Sequence, residues 1–249
     1  MKNHKKLIIG ISITLSLMVL CFLGIRIDNT DNKKTFFDST KVYAQTTDDV
    51  DEKLNTIMDE LEELKKSNPI IAMSSSPYAI VEEITSYDEL VNMGIEAVKP
   101  MYDILYKRPD AGLYEYILAM AIEEITNQEY IYDVDYGWSN ALEFRLCYER
   151  KVNNSSDEFE YLMNSNKISN ENKKQKITEL GVFVVSDLLD ELDKETSIFS
   201  KEEIETLLQQ IIQTVPATHK LHSVETIEEW RVDNEQIYRD LKKLNKTEY

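Results

Sequence analysis

Leu7 to Ile25 is a run of nineteen residues without a charge, and it follows a start that carries Lys2, Lys5 and Lys6. As a helix rising about 1.5 Å per residue the run is roughly 28 Å long, close to the hydrocarbon thickness of a bilayer, and it predicts a transmembrane helix over 7–26. Beyond it the pattern turns polar and then periodic. Residues 27–47 mix Asp, Asn, Lys, Thr and Ser without period and read as a linker. Over 48–66, Val50, Leu54, Ile57, Leu61 and Leu64 recur at alternating spacings of four and three, with acids in the first turn and Lys65 and Lys66 in the last. That predicts an amphipathic helix whose charges suit both ends of its dipole. Its two heptads could pair with a second copy or dock on the neighbouring domain; docking is preferred, because a coiled coil usually takes three or more heptads.

The remaining chain, 78–249, reads as helical throughout. Ser86, with Glu89 three residues on, forms a capping-box pattern for a short helix that Gly94 closes. Ile95 to Lys107 places Ile95, Val98, Met101, Tyr102 and Leu105 on one face, with Pro100 expected to kink or restart the helix. Leu113 to Thr126 is apolar over a wide arc, as a helix between two others would be. The segment Ile177 to Leu192, centred on Gly181, lines up with Leu90 to Leu105, centred on Gly94, and each is followed by a further amphipathic helix, Leu113 to Thr126 in one case and Lys201 to Thr214 in the other. A tandem of similar helical units is the simplest account, with both glycines at φ > 0. Between the units, 153–175 is polar and of low complexity and reads as an exposed insertion or a loosely held helix. Six glycines, five prolines and no Asn-Gly or Asp-Gly dipeptide in 249 residues make all-α the fold class.

Leu90, Gly94, Ala97, Val98, Pro100 and Leu105 resemble the short helix, glycine turn and proline-containing second helix of HEAT-like repeats. Ile122 to Thr126, then Asp133, Asp135 and Trp138, are similar to the segment that often ends such arrays, although Asn127 stands where a glycine is common and Phe144 only approximately meets an expected aromatic. The resemblance covers about 85–150, with a fainter echo at 177–214. It implies a right-handed stack of helical hairpins that binds other macromolecules, and it implies no catalytic chemistry or cofactor.

Charge and cysteine content sharpen this. The first 41 residues hold 7 basic and 3 acidic side chains of the chain's 28 and 46, so the remainder carries a net charge near −22. Such a field disfavours nucleic acid and anionic lipid headgroups and fits cations or basic partners, though it also serves simply for solubility. With Cys21 inside the apolar run, Cys147 is alone in the rest, and no internal disulfide or cysteine metal cluster can form there. The apolar run is long for a cleaved signal, so an uncleaved signal-anchor is preferred over secretion after cleavage following Ala44 in the triplet Val42-Tyr43-Ala44. Lipidation at Cys21 is disfavoured because Leu20 is not a small residue. The positive-inside count nearly balances, three lysines against Arg26, Lys33, Lys34 and Lys41, and the short basic tail places the amino terminus in the cytoplasm and the bulk outside.

Candidate chemistry is sparse. Asp133 and Asp135 offer oxygen ligands at alternate positions, yet glycine falls one place late for a calcium loop, and Phe144 stands where a bidentate Glu would be. The alternative is a loop whose acids and Ser139 cap a helix from Trp138 to Tyr148. His219, His222 and Glu225 could hold zinc if helical, but Pro216 points to a loop and solvated histidines. Eight tyrosines fall between Tyr102 and Tyr148. Of these, Tyr130, Tyr132 and Tyr136, with Trp138, are the candidates for a partner-binding aromatic patch, against the alternative that Trp138 is a lid on Ile122 and Ile125. Tyr114 and Tyr116, two apart on one helix, should not both face the core. No Ser-x-x-Lys, Gly-x-Ser-x-Gly, Walker or dinucleotide motif occurs. The expectation is a single-pass membrane protein with an external binding or scaffolding domain for a protein partner. The alternatives are an extracytoplasmic hydrolase using Asp/Glu acid-base chemistry and a calcium-responsive surface protein.

Overall fold

The computed structural model describes residues 43–72, 76–108, 112–130, 137–216 and 226–244. The expected membrane span lies outside them, and among the described residues no helix is long and apolar enough to cross a membrane. The chain divides into two units, Met1–Gln45 and Thr46–Tyr249, and the helical core belongs to the second. It is all-α: every regular element among the described residues is helical.

The first helix, α1, occupies 43–67 and so takes in residues expected in the linker. Its stripe is buried in the chain's own core, with Val50, Leu54, Ile57 and Leu61 at most 1% exposed, which leaves no apolar seam for pairing with a second copy. Two contacts hold it to α4 (Thr85–Val91): Lys53 pairs with Glu89 at 2.5 Å, and the Glu60 carboxylate accepts the Ser86 main-chain N–H at 3.3 Å together with its hydroxyl. The expected capping box at Ser86 is therefore corrected. Ile84 is the N-cap, Ser86 lies buried inside α4, and a carboxylate from another helix serves the orphan N–H. Two short helices, α2 (Pro69–Ala72) and α3 (Pro77–Val81), bridge α1 and α4.

Gly94 separates α4 from α5 (Ile95–Lys107) with φ 72° and ψ −159°, and both helices pack on α6 (Leu113–Thr126). Gly181 separates α8 (Asn170–Leu180) from a 3-10 turn, Gly181–Val184, that leads into α9 (Val185–Leu192). Its φ of 66° and ψ of −146° nearly reproduce Gly94, and both α8 and α9 pack on α10 (Lys201–Ile212). A Cβ penalty of this size favours glycine at both junctions. At Gly181 an added Cβ would also lie 2.2 Å from Gln128 Nε2, so that flexible side chain would have to move aside. The last helix, α11 (Ile227–Leu241), packs against α5 and α9 alike and buries Trp230, Tyr238 and Leu241. Pro100 sits buried inside α5, which continues through it to Lys107.

Polar composition misled the reading of 153–175. Helix α7 runs from Ala141 to Asn164, starting later and ending far beyond the expected 138–148. Phe144, Cys147, Tyr148, Val152, Ser155, Phe159 and Leu162 are buried along it, at the spacing of one helical face. The polar residues up to Asn164 are that helix's outer surface, so this part of 153–175 is a helix held by its buried face. Ser169 then caps α8 by accepting the Asn172 N–H, and the buried Lys173 donates to the Met163 carbonyl near the carboxyl end of α7, where a cation suits the dipole.

Candidate functional site

Helix α6 is the element from which the candidate region is built. It ends at Asn127, whose φ of 48° and ψ of 43° place it in the left-handed region that Asn tolerates better than most residues, so this departure from the expected glycine still closes the helix. Two aromatics that flank residues 131–136 pack against this end of the domain. Tyr130 is 3% exposed; its ring meets Phe144 edge-on at 5.0 Å, and its hydroxyl shares a hydrogen bond of 2.9 Å with Thr126 Oγ1. Burial holds that phenol well above its ordinary range. Trp138 is 8% exposed, packed on Tyr116 at 4.6 Å and on Phe144 at 5.1 Å.

Tyr130 and Trp138 are thus core residues: for Trp138 this is the buried alternative to an exposed patch, while Tyr130 is corrected as a surface candidate. Tyr132 and Tyr136, the other two candidates, lie outside the described residues, as do Asp133, Asp135, His219, His222 and Glu225. The physical reason is visible at Glu123, whose Oε1 accepts the Tyr130 main-chain N–H and the Trp138 indole N–H, both at 3.2 Å. One carboxylate thus holds both Tyr130 and Trp138. Partial burial raises the Glu123 carboxyl above the usual carboxylate range, and the two N–H groups oppose that.

Tyr114 and Tyr116 are both partly buried, correcting the expectation that one is exposed. Arg108 covers Tyr114, with the guanidinium 4.0 Å from the ring centre, while Tyr116 is covered by Trp138. Between them Glu115 is buried, accepting the Gly112 N–H at 3.1 Å and facing Arg108 at 3.6 Å. At the start of α7 the cap is Asn140 rather than Ser139: Asn140 Oδ1 accepts the Glu143 N–H, and Glu143 reaches back to the Ser139 N–H and hydroxyl. Cys147 is buried and its thiol is pushed up by burial, the opposite of an activated nucleophile. Among the described residues no group of three or more His, Cys, Asp or Glu is arranged to hold a metal ion.

A groove of about 750 Å³ runs between the second half of α7 and α9, floored by Phe159 and Met163 and edged by Glu160, Asp187, Asp190 and Glu191. Three of these acids are already neutralised: Asp187 by Lys242, Asp190 by Arg239 at 2.5 Å and Glu191 by Lys194 at 2.5 Å. Asp193 continues the series to Arg231 at 2.7 Å, and Glu235 sits between Arg231 and Arg239. The sequence signal for this ladder was an Asp at every third position, Asp187, Asp190 and Asp193, along α9 and its C-cap, opposite basic residues of α11 and its C-cap. It reads as the seam that fastens α11.

Compared with known proteins, the chain matches no family model, no curated protein and no solved structure, so its own residues carry the functional reading.

Proposed function

We propose that this chain is a single-pass membrane protein whose HEAT-like helical domain lies outside the cytoplasm and binds or scaffolds a protein partner of the membrane or envelope. The observation that carries the reading is the pair of glycine junctions at Gly94 and Gly181. Each joins two helices that pack together on a third, which is how a duplicated helical unit is built. Units of this kind are used for surface recognition rather than chemistry. The uncharged run Leu7 to Ile25 supports the anchor, the basic amino-terminal tail supports its orientation, and the acidic remainder favours a partner with basic groups.

The test is copurification of the full-length chain from crosslinked membranes. The reading expects a stoichiometric protein partner whose crosslinks map to the helices of 46–249. A chain that stays uncrosslinked in membranes while its detergent extract hydrolyses a glycoside or ester substrate would replace the binding reading with the enzymatic one.

A further inference from the structure

The groove of about 750 Å³ between α7 and α9 is lined from Ser156 to Asn164 along α7, and from Asp187 to Ile198 along α9 and the loop that follows it. At about 1.5 Å per helical residue the α7 wall is roughly 12 Å long, room for about four extended residues of another chain. Lys242 ties the two walls together, donating to Ser156 on α7 at 2.8 Å and pairing with Asp187 on α9. The groove is therefore fixed by the same ladder that fastens α11. Its apolar part consists of Phe159, Met163 and Ile198, and Ile198 is 43% exposed although it is a large hydrophobic residue.

Charge decides which ligand this surface suits. The lining holds four carboxylates and a single cation, Lys194. Asp187 and Glu191 are spent on the fold, each paired and with side chains only 23% and 5% exposed. Glu160 is different: it is exposed, and it forms no ion pair among the described residues. Asp190, although paired with Arg239, keeps 55% of its side chain exposed. The rim thus offers negative charge beside an apolar strip, on a chain whose net charge is −18. A pocket for a small apolar ligand is lined mostly by hydrophobic side chains, whereas here three stand among nine polar ones. A peptide with mixed character matches both parts. We propose that this groove takes a short basic segment of a protein partner, which lays one apolar side chain over Phe159, Met163 and Ile198 and points lysine or arginine at Glu160 and Asp190. The proposal rests on the reading that the domain binds a partner with basic groups, and adds the place where it binds.

The full-length chain in maltoside micelles is titrated with a fluorescent lysine pentapeptide that carries leucine at its centre and is blocked at both ends, with anisotropy read against empty micelles. The expected result is a saturable rise, half complete on the order of 0.1–1 mM, that weakens about tenfold when serine replaces the leucine. Glu160→Lys and Ile198→Asp should each weaken it by about tenfold or more. Both change exposed side chains, so either variant suffices if the other does not fold. Glu158→Lys makes the same charge change at an exposed α7 position outside the groove and should stay within about twofold of the wild type. Equal weakening by Glu158→Lys and Glu160→Lys would trace the attraction to the general field of the chain and overturn the site. So would the absence of saturable binding, or binding indifferent to both groove variants. Self-association that Ile198→Asp abolishes, with no peptide binding, assigns the groove to a second copy instead. A partner captured from crosslinked membranes equally by the wild type and by both groove variants removes the groove and leaves the binding reading standing. Peptide binding as expected, with no partner in the membranes, does the reverse.

Discussion

Glu60 on α1 caps the amino end of α4 through Ser86, accepting both its main-chain N–H and its hydroxyl. Ser86 is 3% exposed, so without Glu60 two donors would be left with little access to water. Glu60→Ala is expected to cost about 1–3 kcal/mol, and Glu60→Gln, which keeps an acceptor oxygen, clearly less. The exposed Lys53–Glu89 pair beside it provides the control, with Lys53→Ala expected to cost no more than about 1 kcal/mol. Denaturant unfolding of the three variants checks this, and equal losses for Glu60→Ala and Lys53→Ala would contradict the capping role.

Gly94 and Gly181 share a positive φ. Replacing either by Ala should lose about 1–2 kcal/mol from the backbone conformation. At Gly181 the new Cβ would in addition displace the Gln128 side chain, whose Nε2 lies 2.2 Å from it. Gln128 is flexible, so this adds little, and Gln128→Ala in the Gly181→Ala background should recover whatever the displacement costs. A double-mutant cycle measured by thermal unfolding reads the difference, and additivity of the two changes would remove the clash from the account.

Glu123 should make the protein less stable as it ionises. Its folded carboxyl is raised above the ordinary 4.5, so between that value and the folded one the folded state holds the extra proton. Stability therefore falls as pH rises through this window, and ionised Glu123 remains a cost at neutral pH. Glu123→Gln is expected to raise the melting temperature at neutral pH and to flatten this part of the pH profile. A variant that is less stable at every pH would show that the charge itself holds Tyr130 and Trp138.

The α9–α11 ladder works in the opposite direction and at lower pH. The Arg231 guanidinium holds both Asp193 and Glu235 below their ordinary values of 3.8 and 4.5. The stability they add is complete above those values and is lost as pH falls through the folded ones. Glu235, flanked by two arginines at 25% side-chain exposure, is the sharper probe. Glu235→Gln should cost about 0.5–1 kcal/mol at neutral pH and nothing once the carboxyl is protonated, with the difference shrinking in high salt. Urea midpoints across the acid range decide this, and a cost independent of pH would assign Glu235 to packing.

The helical class was legible because Gly94, Gly181 and the spacing of Val50, Leu54, Ile57 and Leu61 are local signals, each imposed by one helix or one turn. What composition hid were relations between helices. Ser86 looked like a cap because its own neighbour Glu89 had the right spacing, whereas its partner Glu60 is 26 residues away. The outer face of α7 outnumbers its buried one, so Val152, Phe159 and Leu162 vanished among Asn and Ser. Glu123 carried no motif at all; its role rests on Tyr130 and Trp138, seven and fifteen residues on, both of which it holds through N–H groups.

The claim on which the functional account stands is that residues 46–249 lie outside the cytoplasm on an uncleaved anchor, since a domain that recruits envelope partners has to face them. Protease added to intact cells measures it directly. The account predicts that the domain is digested from outside while undigested full-length chain stays with the membranes. A domain protected until the cells are opened, or a mature chain beginning at Gln45 in the medium, would contradict it.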